Sequence, residues 1–139
     1  MNYIVGDIGN TSTRVCLLNK SKILNSIIFD TKKIFLKGFF KRIIYRFSKK
    51  NLKNEILFSC VVPLALKEIK KNLKKTNYRV LEIKSLNLKK MIKINIKNFK
   101  QLGSDRIVNS IKGKEFKNCL IIDFGTATTF DIVKNETYE

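Results

Sequence analysis

The sequence predicts an α/β protein in which a mixed β-sheet is flanked by helices. Two apolar–turn–apolar segments with Asp-x-Gly at the turn occur 116 positions apart, over Tyr3 to Leu18 and Cys119 to Val133. Between them, apolar runs of strand length alternate with segments of helical period, and no Gly/Ser-rich linker interrupts the series. Strand and helix patterns that alternate in this way are typical of a sheet with helices packed on it.

The chain begins with three predicted antiparallel strands. The two apolar runs around the first Asp-x-Gly turn form two of them, and Lys22 to Phe29 forms the third after a turn at Asn19 to Ser21. Apolar pairs then recur at helical spacing over Thr31 to Ser48. This spacing predicts one amphipathic helix with Gly38 as a mild internal defect.

Further strands and a helix are predicted in the middle of the chain. Glu55 to Val62 has the composition of a buried strand, and Pro63 suits the first turn of the helix that follows. Tyr78 to Ile83 is predicted to be a strand, and Met91 to Ile96 a weaker one.

A short polar-to-apolar segment precedes the second Asp-x-Gly turn. Ser104 can cap a helix that ends at Gly113, and Asp105 then lies in the first turn. The helix dipole favours an ionised carboxylate there, so on the pattern alone helix stability is the favoured explanation of Asp105, ahead of a chemical role. Arg106 can pair with an anionic ligand or simply extend into solvent.

The two Asp-x-Gly turns have the composition of a phosphate site. In sequence register Asp7 matches Asp123 and Gly9 matches Gly125, with Ser/Thr residues following in each turn. Glycine allows a ligand to approach the backbone, turn N–H groups and hydroxyls bind phosphate, and aspartate can hold a metal ion. Ordinary hairpins also use Asp and Gly for turn geometry. Two copies favour the phosphate site, because two such turns can close on one nucleotide.

The charge of the chain is strongly positive, at +18 over 139 residues. Only five of the 29 basic residues are Arg, the residue that base and phosphate recognition uses most. We interpret the charge as a lysine-rich solvated surface, so neither nucleic acid nor a membrane is expected as a partner. No apolar run has the length of a membrane span, and no signal peptide is predicted.

Cysteine and histidine usage narrows the chemistry further. Cys16, Cys60 and Cys119 lie in apolar runs without metal-ligand spacing, which predicts buried reduced thiols in a cytoplasmic protein. The sequence has no His, which excludes His-ligated zinc and catalysis by Ser-His or Cys-His pairs.

Four motifs in order resemble those of the type III pantothenate kinases. They are Asp7-Ile8-Gly9-Asn10-Thr11-Ser12, Ser59-Cys60-Val61-Val62-Pro63, Gly103-Ser104-Asp105-Arg106 and Asp123-Phe124-Gly125-Thr126-Ala127-Thr128-Thr129. The resemblance implies the actin-like, sugar-kinase-like ATPase fold, built from two ribonuclease-H-like halves. It predicts a ribonuclease-H-like domain over residues 1–117 and the opening hairpin of a second, truncated copy over 118–139.

The resemblance also implies ATP-dependent phosphorylation of pantothenate on its primary hydroxyl, the first step toward coenzyme A. Asp105 would be the catalytic proton acceptor, Asp7 would lie near Mg²⁺, and Asp123 would bind the monovalent cation, K⁺ or NH₄⁺. The substrate-binding residues would be Gly103, Ser104, Asp105 and Arg106. The ATP-binding residues would be Asp7, Ile8, Gly9, Asn10, Thr11, Ser12, Thr13, Arg14 and Thr126.

The sequence departs from the family pattern in three respects. Ile96 and Phe99 stand where family members usually have Tyr and Pro, and Ser104 replaces a common Ala. We also expect that about half of a typical member, including much of the homodimer interface, is missing beyond Glu139. We therefore expect a fragment that is weakly active or inactive alone, with Phe130 to Val133 as an exposed, aggregation-prone edge strand.

Two other functions remain open from the sequence. A non-catalytic relative of these kinases could act as a regulator, and its positive charge would then serve DNA binding. A ribonuclease-H-like nuclease could use Asp7 and Asp123 as a metal pair, although donor-rich turns favour phosphate binding over a nuclease site.

Overall fold

The computed structural model describes residues 1–47 and 52–139. The chain divides into two compact units, Met1–Glu82 and Ile83–Glu139. Residues 83–117 thus pack with the second Asp-x-Gly hairpin. The predicted domain boundary after residue 117 was based on the two ribonuclease-H-like halves of the family. That boundary stays a prediction.

The first unit is a five-stranded mixed sheet with helices on it. In space the strands run β3-β2-β1-β4-β5, with β1–β2–β3 antiparallel and β1–β4–β5 parallel. This sheet confirms the predicted α/β class and the three-strand start. The elements are β1 (Asn2–Ile8), β2 (Ser12–Asn19), β3 (Lys22–Asp30), α1 (Phe39–Tyr45), β4 (Leu52–Cys60), α2 (Pro63–Leu73) and β5 (Arg79–Glu82).

One face of this sheet forms the core of the first unit. Ile4 and Ile8 of β1 and Val15 and Leu17 of β2 point to the same face and belong to one cluster of buried residues. The same cluster contains apolar residues of α1 and α2. Pro63 occupies the first position of α2 as predicted, where the missing N–H has no cost.

The single helix predicted over Thr31 to Ser48 is wrong. The structure has a 3₁₀ turn over Thr31–Phe35 and then α1, and Ser48 lies outside the described residues. Gly38 separates the two because its φ of 67° is left-handed, which an α-helix cannot contain. The 3₁₀ turn and α1 therefore bury, as two short pieces, apolar residues that were predicted to lie along one helix.

Gly6 allows β1 to lie close to Phe58 of β4, which predicts a large stability effect. A Cβ at Gly6 would lie 2.2 Å from Cε1 of this fully buried ring, so the core must shift. We expect Gly6→Ala to lower the free energy of unfolding by about 1–3 kcal/mol in urea denaturation. Gly125→Ala is the control, because its Cβ would find its nearest neighbour at 3.7 Å. Equal midpoints for both variants would contradict the packing argument.

The second unit is a four-stranded sheet with one helix on it. The strand order is β6-β9-β8-β7, with β7–β8–β9 antiparallel. Of the strand predicted over Met91 to Ile96, only two residues form a strand, β6. After the second predicted hairpin, the structure has one further short strand, β9, which was not predicted. The elements are β6 (Lys93–Ile94), α3 (Ser104–Gly113), β7 (Cys119–Phe124), β8 (Thr128–Lys134) and β9 (Thr137–Tyr138).

The edge strands of this sheet are β6 and β7, so the prediction of an edge strand at Phe130 to Val133 is wrong, because that segment lies in β8 between β9 and β7. Asn135 and Glu136 both have positive φ, so the chain turns tightly after β8 and β9 pairs with it. The β7–β8 hairpin exposes one apolar face, and the exposed fractions of its side chains range from 44% to 81%. We call this surface the open hairpin face, and it consists of Leu120, Ile122, Phe124, Phe130 and Ile132.

Helix α3 lies against the other face of the hairpin. Its N-cap is Gly103, so the prediction that Ser104 caps the helix is wrong, whereas Asp105 lies in the first turn as predicted. The helix ends at Gly113, and a Cβ there would lie 2.8 Å from Ile121 Cδ1 of β7. Glycine at this position therefore serves close packing of the helix on the strand. Within the described residues, no helix is both long and apolar enough to cross a bilayer.

Candidate functional site

The first Asp-x-Gly turn joins β1 to β2 and presents a polar exposed tip. Asp7 pairs in register with Arg14, and both are exposed together with Asn10, Thr11 and Ser12. The N–H of Gly9 donates to the carbonyl of Ser12 over 3.0 Å, so this glycine closes the turn. Donors for a phosphate would therefore come from the other residues of the tip.

Thr31 binds the backbone of this turn, a role that nothing in the sequence pattern indicates. Its N–H donates to Thr11 O over 3.0 Å and its hydroxyl to Gly9 O over 2.7 Å. Since that hydroxyl has one proton, the Thr13 hydroxyl donates to Thr31 Oγ1 over 2.9 Å. Thr13 is fully buried, and so is the side chain of Ile8. Ile8 and Thr13, both predicted to bind ATP, can therefore contact a ligand only through their backbone atoms.

The second Asp-x-Gly turn repeats the first with one residue fewer. Asp123 pairs with Thr129 and Phe124 with Thr128, and the N–H of Gly125 donates to Ala127 O over 3.3 Å. The strand partner that corresponds to Thr13 is therefore Thr128, one position away from the match in sequence register. Thr126 lies exposed at the tip of this turn.

The N-terminus of α3 carries the predicted proton acceptor. Asp105 is partly buried, and its Oδ1 accepts from the N–H of Arg106 over 2.9 Å. Its Oδ2 has no hydrogen-bond partner among residues 1–47 and 52–139. An ionised carboxylate is favoured in a first helical turn. Asp105 can therefore orient a hydroxyl and accept its proton through Oδ2.

Asn109 joins this helix to the second Asp-x-Gly turn. It lies one helical turn after Asp105, on the same side of α3, and its amide donates to Asp123 Oδ2 over 3.2 Å. Asp105 and Asp123 are thus placed at the same side of the second unit. Asn109 was not predicted as a site residue, although its i+4 spacing from Asp105 is visible in the sequence.

Arg106 is anchored to β8. Its Nε donates to Asp131 Oδ1 over 2.6 Å, and its Nη2 donates to Phe130 O over 3.0 Å. Tyr138 of β9 donates its hydroxyl to the same oxygen of Asp131. The hydrogen bond to Asp131 raises the pKa of Arg106, while burial and the same carboxylate raise the pKa of Tyr138. Arg106 therefore stays charged and Tyr138 stays protonated, the states in which both donate to Asp131.

The carboxylates suit cations that also bind phosphate oxygens. In the described part of the chain, no three His, Cys, Asp or Glu residues gather to form a complete metal site. Mg²⁺ in kinases is commonly held by one or two carboxylates together with substrate phosphates. Asp123 Oδ1 has no partner within the described ranges, so an oxygen ligand remains there.

The cysteines are the predicted free thiols. Cys16 is buried as predicted, whereas Cys60 and Cys119 are only partly buried. Burial raises the pKa of Cys16 and Cys60, which keeps both protonated and unreactive.

Comparison with known proteins identifies the family. The family model described as type III pantothenate kinase matches residues 3–139. The chain belongs to the type III pantothenate kinase family. The type III pantothenate kinase of Pelagibacter ubique is 45% identical over 97% of this chain, and that of Sulfurihydrogenibium sp. is 36% identical over 96%. The chain spans about half the length of these relatives, 55% and 56%.

Solved structures support the fold expected of a type III pantothenate kinase. A protein from Porphyromonas gingivalis, provisionally assigned as an N-acetylglucosamine kinase, superimposes with a TM-score of 0.54 at 12% identity, over 99% of this chain and 46% of its own. A provisionally assigned N-acetylmannosamine kinase from Listeria monocytogenes gives 0.53 at 14% identity, over 100% and 49%. The likeness shows that this chain has the fold of these sugar kinases, as expected, and at this identity it concerns the fold alone.

Proposed function

We propose that this chain carries the first half of a type III pantothenate kinase, which transfers the γ-phosphoryl group of ATP to the primary hydroxyl of pantothenate. The observation that carries the proposal is the start of α3, where the family motif Gly103 to Arg106 places a carboxylate beside an anchored guanidinium. In this proposal residues 1–117 form the first ribonuclease-H-like domain, and residues 118–139 open a truncated second copy.

Asp105 is the catalytic residue of the proposal. Phosphoryl transfer passes through a loose transition state, so an acceptor of ordinary basicity suffices to orient the hydroxyl and take its proton late. The bond from the Arg106 N–H fixes Oδ1 and leaves Oδ2 for the substrate. The oxygen that attacks phosphorus would lie within hydrogen-bond reach of Oδ2.

The pantothenate carboxylate pairs with Arg106 in the proposal. Gly103 and Ser104 contribute through their backbone, since Ser104 is 1% exposed. Ile96 and Phe99 occupy the positions before this motif where the family usually has Tyr and Pro, so this chain lacks the side chains that the family has there.

ATP would bind at the exposed tip of the first turn, Asp7 to Arg14, and at Thr126. Asp7 would hold Mg²⁺, and Asp123 the monovalent cation, K⁺ or NH₄⁺. When bound, these cations neutralise the negative charge that phosphate groups bring to the site. Asn109 and Thr31 would position the second and first turns respectively. The homodimer and the cytoplasmic location of the family complete the proposal.

Binding of pantothenate to this chain tests the substrate assignment directly. We expect pantothenate to shift the amide NMR signals of Asp105 and Arg106, with the neutral alcohol panthenol as the matched control. Loss of the carboxylate should weaken binding at least tenfold, because a charge-assisted bond to Arg106 disappears. Equal affinity for both compounds, or shifts that avoid α3, would contradict the assignment.

A further inference from the structure

Asp131 is a buried acidic residue that neither the family motif nor the proposed chemistry uses. It lies on the inward face of β8, and its side chain is 0% exposed. Oδ1 accepts from Arg106 Nε and from the Tyr138 hydroxyl. Oδ2 is buried and has no hydrogen-bond partner in the described part of the chain. A buried carboxylate with an unsatisfied oxygen is a costly way to fill a core position.

The bonds to β8 use one edge of the Arg106 guanidinium, and the other edge makes no bond to β8. Nε and Nη2 face β8, where Asp131 supplies a carboxylate oxygen and the preceding residue, Phe130, a carbonyl. Nη1 has no partner within the ranges that the structure describes. The side chain of Arg106 remains 36% exposed. An arginine held at two points on one edge loses its rotational freedom before any ligand arrives.

The position of Arg106 adds a second constraint. It follows Asp105 directly in the first turn of α3, and its N–H binds the Asp105 carboxylate. The side chain that Asp131 fixes therefore belongs to the residue that also orients the proposed proton acceptor.

We propose that Asp131, supported by Tyr138, is a positioning residue that holds Arg106 by its Nε edge so that its Nη1 end receives the substrate carboxylate. This inference rests on the proposed function and deepens it. Asp131 touches no substrate, so its effect acts on substrate affinity through Arg106.

Binding measurements on variants of the full chain test this inference. Asp131→Asn retains the shape of the side chain and one oxygen but removes the charge. It should weaken pantothenate binding at least tenfold and leave panthenol and ATP binding within about twofold of wild type. Glu55→Gln is the matched control, because Glu55 forms an exposed ion pair with Arg79 in the first unit. This control should leave all three affinities unchanged.

The Arg106 Nε–H resonance gives a readout independent of the substrate. In the wild-type chain we expect slow hydrogen exchange at Nε, and Asp131→Asn should accelerate it at least tenfold. Tyr138→Phe removes only the hydroxyl that donates to Asp131. It is the variant to measure if Asp131→Asn fails to fold. It should accelerate Nε exchange and weaken pantothenate binding by a smaller factor.

The outcomes separate the inference from the proposed function. If wild type binds no pantothenate, the proposed function fails for this chain, and Nε exchange alone decides whether Asp131 holds Arg106. If the folded variants lower the unfolding midpoint but keep wild-type pantothenate affinity, the pair is only structural and the inference is overturned. Unchanged Nε exchange in Asp131→Asn also overturns it.

Discussion

Replacing Asp105 by asparagine is expected to lower the rate of pantothenate phosphorylation by about 10²- to 10⁴-fold. The amide keeps the size of the side chain and can still accept from the Arg106 N–H, but it cannot take a proton from the hydroxyl. The rate is measured as a single turnover with the chain in excess over labelled pantothenate, because we expect weak activity or none from the chain alone. A second series adds, as a separate polypeptide, the part of the Pelagibacter ubique relative outside its match to this chain.

Glu115→Gln provides the control for this measurement. Glu115 carries an exposed carboxylate just after the same helix, where it pairs with Lys112. This variant should turn over at the wild-type rate. A rate for Asp105→Asn within threefold of wild type would remove Asp105 from the catalytic role.

A charge-neutral pair of substitutions on the open hairpin face is expected to suppress self-association of the chain. Leu120 and Ile132 are direct cross-strand partners, so Leu120→Glu with Ile132→Lys places opposite charges side by side and preserves the hairpin. Each apolar side chain that is lost from the contact between two copies of the chain weakens the free energy of self-association by about 1.5–3 kcal/mol. The dissociation constant of self-association should therefore rise by about 10²-fold or more in sedimentation velocity.

The matched control places the same two charges on β3. Ile23 and Ile28 are about as exposed as the hairpin residues, but they lie five positions apart on β3, and Ile28 lies opposite the charged Arg14. Ile23→Glu with Ile28→Lys should leave the dissociation constant unchanged. If both pairs act alike, self-association depends on general surface polarity rather than on the open hairpin face.

The fold was largely predictable because its strands follow simple apolar periodicity. Strands β1 to β3 and helix α2 lie where the pattern placed them, since strand length and Pro63 mark their limits. The helix over Thr31 to Ser48 failed because periodicity does not distinguish one helix from two pieces that bury the same stripe. The decisive feature was the left-handed conformation of Gly38, which glycine permits but does not require.

The site was predictable where chemistry and motif coincide on one residue. Asp105 and Arg106 were selected because an acidic first turn and a family motif overlap there. Asp131 was missed because strand alternation places an acid between Phe130 and Ile132 on the face opposite the apolar pair, which is normally the solvent face, whereas the structure buries it. Its partner Tyr138 follows a turn that no apolar pattern marks, so pairing with β9 could be found only in three dimensions.

Transfer of labelled phosphate from [γ-³²P]ATP to pantothenate tests the central claim most directly. With the complementary polypeptide of the Pelagibacter ubique relative bound to this chain, we predict that the label appears in phosphorylated pantothenate. Panthenol should compete poorly because it lacks the carboxylate for Arg106. Release of the label only as inorganic phosphate, or no release at all from a complex saturated with both substrates, would contradict the account.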